Sequence, residues 1–208
     1  MIAIVDYRAG NLASVKRALD YIGVESEITD EPAKIRAAER VIFPGVGAAG
    51  EAMRCLNELG LKKVLHEVIN SGTPFMGICV GYQLLFERSD ENNVDCLGVL
   101  AGNVVRFRSE LRDEQTGRPL KIPQMGWNQV EFSYSHPLWE DVPEGSEFYF
   151  VHSYYPEPEP KIVCATTTYG IEYACGVAEK NLAAFQFHPE KSGRPGLQML
   201  RNFCNWTP

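Results

Sequence analysis

A lone thiol stands between two glycines in the run Thr73-Pro74-Phe75-Met76-Gly77-Ile78-Cys79-Val80-Gly81-Tyr82-Gln83. Residues 75–78 form a short apolar run suited to a buried strand, and Tyr82-Gln83-Leu84-Leu85-Phe86 opens a helical pattern. The order is strand, sharp turn, helix, with Cys79 at the apex. Gly77-x-Cys79-x-Gly81 is the cysteine form of a nucleophile elbow, where small residues two before and two after the nucleophile let strand and helix approach closely. The N-terminus of the following helix favours thiolate over thiol, and the Val80 N–H can donate to an oxyanion. The competing reading is a thiol buried as a small hydrophobe. A base from elsewhere in the chain must decide between them.

The chain has four histidines. His66 lies beside Lys62 and Lys63 on a helical pattern and reads as solvated. His136 precedes Pro137 in a turn. His152 ends an expected strand at 147–152. His188 ends the apolar run Ala183-Ala184-Phe185-Gln186-Phe187; Pro189 stops that strand and Glu190 follows. Sites in open α/β sheets gather beyond the carboxyl ends of strands, so His188 and Cys79 can converge. The imidazole would take the thiol proton and later protonate a leaving amine, with Glu190 orienting the ring. The plainer alternative is a surface turn with an incidental ion pair.

The elements that must position these groups form an α/β pattern. Strands are expected at 2–5, 24–29 and 40–43, with helices at 12–22 and 32–39 between them, which implies a parallel sheet flanked by helices. Pro44-Gly45-Val46-Gly47-Ala48-Ala49-Gly50 then spells G-x-G-x-x-G. It permits a dinucleotide fingerprint, a tight turn, or an anion-binding loop beside the cysteine. Its place after the third strand, and a cysteine where the ribose-binding acid belongs, disfavour the first. Helices follow at 51–59 and 61–70. The elbow helix is expected through 86, with a polar loop at 87–95. Strand signals then dominate at 97–100, 103–108, 128–132, 147–152, 161–169, 171–178 and 182–187, with turns at Tyr169-Gly170 and Glu179-Lys180-Asn181. The linker-like Glu157-Pro158-Glu159-Pro160 reads as a loop, and 194–206 as a closing helix. The expected fold is thus α/β, a mostly parallel central sheet flanked by helices with an antiparallel β extension, in one domain spanning 1–208.

Composition narrows the function. At 208 residues, 45% hydrophobic and a net charge of −7, the chain has a real core and an acidic surface. That disfavours nucleic acid as a partner. No apolar run approaches the roughly 18 residues of a membrane span. The opening Met1-Ile2-Ala3-Ile4-Val5-Asp6 reads as a strand rather than a signal peptide. Six cysteines without a C-x-x-C pair give no zinc spacing, so no metal and no cofactor are expected. Reduced thiols in the cytoplasm fit them better than disulfides.

Gly77-Ile78-Cys79-Val80-Gly81-Tyr82-Gln83 with Phe187-His188-Pro189-Glu190 resembles the class I (triad) glutamine amidotransferases, of flavodoxin-like fold. Asp6-Tyr7-x-x-Gly10-Asn11-Leu12, Pro123-Gln124-Met125-Gly126-Trp127-Asn128, residues 148–155 and Glu190-Lys191-Ser192-Gly193 resemble, more narrowly, the branch serving histidine biosynthesis. The resemblance implies that Cys79, His188 and Glu190 hydrolyse L-glutamine through a glutamyl thioester. The Val80 N–H and an amide of Gly45-Val46-Gly47 would hold the oxyanion. Gln83 and the backbone at Ser153 and Tyr154 would hold the glutamine carboxylate and amine. The implied partner is a (β/α)₈-barrel cyclase, with Gln124, Met125, Trp127, Asn128 and Lys191 at the docking face. Trp127 reads as a core aromatic or as an exposed anchor. Arg8, where glycine is usual, and Val80-Gly81-Tyr82 depart from the pattern, and the loop 108–118 is where a length difference is expected. The rivals are a glutaminase serving another synthase, a stand-alone thiol hydrolase of γ-glutamyl substrates, and a binding module without catalysis.

Overall fold

Apolar runs too short for helices form the centre of the molecule. The computed structural model describes residues 1–113 and 116–208. The chain runs β1 (Ile2–Val5), α1 (Leu12–Tyr21), β2 (Ser26–Thr29), α2 (Pro32–Ala37), β3 (Arg40–Gly45), α3 (Ala49–Glu58), α4 (Leu61–Asn70), β4 (Phe75–Cys79) and α5 (Val80–Gln83). There follow β5 (Arg88–Ser89), β6 (Val94–Asp95), β7 (Gly102–Arg106), β8 (Gln124–Gln129), β9 (Glu131–Phe132), β10 (Glu147–His152), β11 (Tyr154–Pro158), β12 (Val163–Thr168), β13 (Glu172–Glu179), β14 (Leu182–Phe185) and α6 (Gly193–Asn205).

Among the described residues the main sheet has eight strands in the order β2-β1-β3-β4-β14-β13-β12-β9. Its first five are parallel, and β13, β12 and β9 continue it antiparallel. The expected parallel sheet with an antiparallel extension is borne out. β1 and β4 are buried at every residue and β2, at the edge, only at its ends. This is the burial a sheet covered on both faces demands of its central strands. α1 turns Leu12, Val15, Ala18 and Leu19 inward and α4 turns Leu61, Val64, Leu65, Val68 and Ile69. That spacing is one stripe of a 3.6-residue repeat.

Two smaller sheets stand beside the large one, β10-β8 and β11-β7-β5-β6. Here the structure departs from the sequence expectations. There is no strand at 97–100 and no helix to 86. One exchange accounts for both: the N–H groups of Leu97, Gly98, Val99 and Leu100 donate to the carbonyls of Leu84, Phe86 and Leu85. The stretch 97–100 wraps the end of a single-turn helix instead of joining a ladder. The polar loop 87–95 holds the two-residue strands β5 and β6. Of the expected loop 157–160, Glu157 and Pro158 end a strand, β11, while Glu159 and Pro160 lie outside it; β11 lies at a sheet edge, where missing N–H donors are tolerated. The expected strand 128–132 begins at Gln124 and breaks at Val130. Of the expected loop 108–118, residues 114 and 115 lie outside the described residues.

Candidate active site

The parallel strands β4 and β14 are neighbours, with Ile78 opposite Phe185. Gln186 therefore lies level with Cys79, and His188 lies beyond the same end of the sheet. Cys79 takes φ 55° and ψ −110°, a conformation costing a non-glycine residue about 1–3 kcal/mol. A side chain at Gly81 would put its Cβ 1.8 Å from the Phe43 carbonyl oxygen, and one at Gly77 would meet the Ala184 Cβ at 2.9 Å. Both glycines are set by close approach. α5 has only four residues, so the helix-terminus field expected at the thiol is that of one turn.

Cys79 is 2% exposed. Its Sγ lies 3.9 Å from the Val151 carbonyl oxygen and 3.8 Å from Gln186 Nε2, which donates to it. His188 Nδ1 is 2.7 Å from Glu190 Oε1, and both side chains are fully buried. Asn11 Nδ2 donates to the same carboxylate oxygen at 2.6 Å. His188 Nε2 and Glu190 Oε2 have no hydrogen-bond partner among the described residues. Burial is the largest single influence on the His188 ring and acts to lower its pKa; the negative charge of Cys79 and then the Glu190 carboxylate together outweigh it and raise the ring to about 10. Beside an ionised Cys79 the ring holds both protons.

A cavity of about 300 Å³ opens over the thiol. Val46, Gly47, Val80, Gln83, Ser153 and Tyr154 line it, with Glu91, Pro123, Val151 and His152. Gly45 sits one step back, buried as the register partner of Cys79. Both hydrogens of the Gln83 amide are used, one on the Tyr154 carbonyl at 2.9 Å and one on Gln186 Oε1 at 3.0 Å. Only Gln83 Oε1 remains, an acceptor suited to an ammonium group and not to a carboxylate. Glu91 is a second acceptor at that end. The amide of Ala49 donates to Glu91 Oε2 at 2.8 Å and that of Gly50 to Asn92 Oδ1 at 3.2 Å. The α3 amides a dinucleotide phosphate would need are thus occupied by side chains.

Asn11, Glu91 and Gln186 were not anticipated. Asn11 is the N-cap residue of α1, but its side chain makes no cap bond and reaches Glu190 instead. Nothing in sequence marks Glu91 within its polar loop. Gln186 could have been found by counting one residue beyond the strand paired with β4.

On the far side of β8, Met125 is 65% and Trp127 54% exposed, so Trp127 is not a core aromatic. Gln124 corrects its expectation: it is 2% exposed, because alternate residues of β8 turn inward. Asn128 is half-buried and donates to the Thr168 carbonyl at 2.8 Å, and Lys191 is half-buried at the end of the His188 turn. Among the described residues, no group of three or more His, Cys, Asp or Glu could hold a metal ion, and no helix is long and apolar enough to cross a membrane.

Residues 3–206 match the family model for glutamine amidotransferase class-I. The chain is 51% identical over 206 residues to imidazole glycerol phosphate synthase subunit HisH of Desulfovibrio desulfuricans, covering 99% of this chain and 94% of that protein. It is 49% identical to the protein of the same name from Dechloromonas aromatica, covering 100% and 97%. Among solved structures it is similar to PurLQS from Thermotoga maritima, with TM-score 0.73, 18% identity and coverage of 98% of this chain and 97% of that one. The glutaminase domain of Trypanosoma brucei CTPS with bound acivicin superposes with TM-score 0.63 at 14% identity, covering 100% and 94%.

Proposed function

We propose a function that follows from one premise: the chain belongs to the glutamine amidotransferase class-I family. It is a glutaminase subunit of imidazole glycerol phosphate synthase, releasing ammonia from L-glutamine for histidine biosynthesis. The observation that carries the mechanism is the buried His188–Glu190 pair beside a cavity floored by Cys79.

The Cys79 thiolate attacks the side-chain amide carbon of glutamine. The Val80 N–H and an amide of the Val46-Gly47 turn take the developing oxyanion, each such donor being worth on the order of 10²–10³ in turnover. The C–N bond breaks as His188 gives its proton to the leaving nitrogen, leaving ammonia, a glutamyl thioester and neutral imidazole. Imidazole then takes a proton from water as it attacks the thioester; glutamate leaves, and thiolate and imidazolium are restored. The raised His188 supports one revision of the sequence-based scheme: the ring enters already protonated. Gln83 Oε1 and Glu91 receive the α-ammonium, and the Ser153 hydroxyl and backbone the carboxylate.

The partner is a (β/α)₈-barrel cyclase seated on the Met125, Trp127, Asn128 and Lys191 face. It uses the ammonia on a phosphoribulosyl formimino substrate, giving imidazole glycerol phosphate and aminoimidazole carboxamide ribotide in the cytoplasm. Glutamate release measured with and without the cyclase and its ribonucleotide tests this. Strong stimulation, abolished by Cys79→Ala, is expected. Full activity without any partner indicates a stand-alone hydrolase instead, and activity surviving Cys79→Ala removes the thioester mechanism.

A further inference from the structure

His152 and Tyr173 are buried beside the cavity and have no part in the chemistry above. His152 Nδ1 is 2.8 Å from the Tyr154 carbonyl oxygen, and its Nε2 is 3.1 Å from the Tyr173 hydroxyl. That hydroxyl lies 2.8 Å from Oε1 of Gln124, the residue opposite His152 in the β8–β10 ladder. The Tyr154 oxygen also accepts from Gln83, Gln83 donates to Gln186, and Gln186 donates to the Cys79 sulfur. An unbroken line of hydrogen bonds therefore joins the inward side of β8 to the nucleophile.

Counting protons gives the line a direction. A carbonyl oxygen only accepts, so His152 Nδ1 carries a hydrogen. Burial first, and then the charge of His188, lower the His152 pKa to about 4, against the bond to Tyr154, so the ring is neutral and Nε2 is bare. The one Tyr173 proton then goes to Nε2 and not to the Gln124 Oε1 that faces the hydroxyl, which requires the Gln124 amide to turn over so that its NH₂ meets the Tyr173 oxygen. Every group is then satisfied without a buried charge.

We propose that His152 and Tyr173 are positioning residues for glutamine hydrolysis. Tyr173 fixes His152 as the Nδ1–H tautomer, and His152 fixes the Tyr154 carbonyl and, through it, the Gln83–Gln186 pair against the Cys79 sulfur. The inference rests on the glutaminase reading for its kinetic consequence, but its proton arrangement is measurable without turnover.

The test compares wild type, Tyr173→Phe, His152→Asn and His152→Gln, each with the cyclase, alongside ring ¹⁵N spectra of wild type at pH 7 assigned by loss of the His152 signals in the Asn variant. The expected spectrum has a protonated Nδ1 and a bare Nε2. Tyr173→Phe and His152→Gln should raise the glutamine KM about five-fold, the scale of one neutral hydrogen bond, with kcat within about two-fold. His152→Asn keeps an N–H near the Nδ1 position and should hold KM within about two-fold of wild type. Should a variant fail to fold, the spectrum and the remaining variants still decide. An Nε2–H tautomer, unchanged KM in Tyr173→Phe and His152→Gln, or KM values that follow thermal stability and not the Nδ1-like donor would each overturn the proposal. An inactive wild type with the expected spectrum would instead overturn the glutaminase reading and leave the hydrogen-bond arrangement standing.

Discussion

Gly45 and Cys79 are register partners on neighbouring parallel strands. The turn carrying Val46 and Gly47 and the elbow carrying Val80 consequently leave the sheet at one level, on either side of a shared space. A Cβ on Gly45 would come 2.0 Å from the Tyr7 hydroxyl and 3.2 Å from the Gly81 amide nitrogen. The approach of the two segments therefore depends on missing side chains.

Gly81→Ala forces a methyl group to 1.8 Å from the Phe43 carbonyl oxygen. Since both sides of that contact are backbone, unfolding free energy should drop by about 3 kcal/mol or more. Gly47→Ala meets nothing within 4 Å but sits at φ +100°, so about 1–2 kcal/mol of backbone strain is expected, with turnover suffering more than stability. Denaturant unfolding separates the two; equal losses would contradict the contact explanation.

Asn11 and His188 share one oxygen, Glu190 Oε1. Removing a hydrogen bond to a buried carboxylate costs about 1.5–3 kcal/mol, so Asn11→Ala should reduce kcat/KM by about 10–100-fold. Asn11→Asp keeps the shape but sets a second carboxylate against Glu190, and should fall further. An Asp variant as active as wild type would show that Asn11 does not position the carboxylate.

Buried His152 makes stability depend on pH. It has a folded pKa of about 4 against an ordinary 6.5. Below pH 6.5 the unfolded chain binds a proton there that the folded chain refuses, so stability falls as pH falls toward 4. His188 is held above its ordinary value first by the charge of Cys79. Imidazolium and thiolate together carry one proton, as imidazole and thiol do in the unfolded chain, so the pair adds no slope from 6.5 to about 8.5. His152→Asn should flatten the arm from about pH 5 to 6.5, above the carboxylate range. An unchanged slope in that variant would count against the assignment.

Trp127 and Gln124 are three residues apart on β8 but face opposite ways. Trp127→Ala should weaken cyclase binding by about 30-fold or more, the effect of an interface anchor near 2 kcal/mol, with little change in melting temperature. Gln124→Ala should instead lower the melting temperature, because it strips a partner from the buried Tyr173 hydroxyl. Titration calorimetry and thermal unfolding of both variants check the contrast.

Cys79, His188 and Glu190 were legible because each is marked by local chemistry: glycines at fixed offsets, and a histidine where an apolar strand meets proline. The parallel sheet was legible from alternating short apolar runs and helical stripes. Asn11 and Glu91 were not, because the bonds that give them meaning span 179 and 42 residues. Leu97 to Leu100 looked like a strand by composition, but their donors found helix-end carbonyls. β11 looked like a loop because its prolines were judged before its edge position was known. Local propensity identified what each segment favours, and the tertiary partner decided what it became.

Ala49 and Gly50 are moored to Glu91 and Asn92, which fixes the far end of the turn that carries Val46 and Gly47. β3 anchors one side and these two bonds the other, so the peptides from Val46 to Ala48 run between two fixed ends. A substitution at Glu91 should thus be felt at Gly47, far away in sequence. The turn beside Cys79 is thus held in part by a segment that shares neither its strand nor the thiol's.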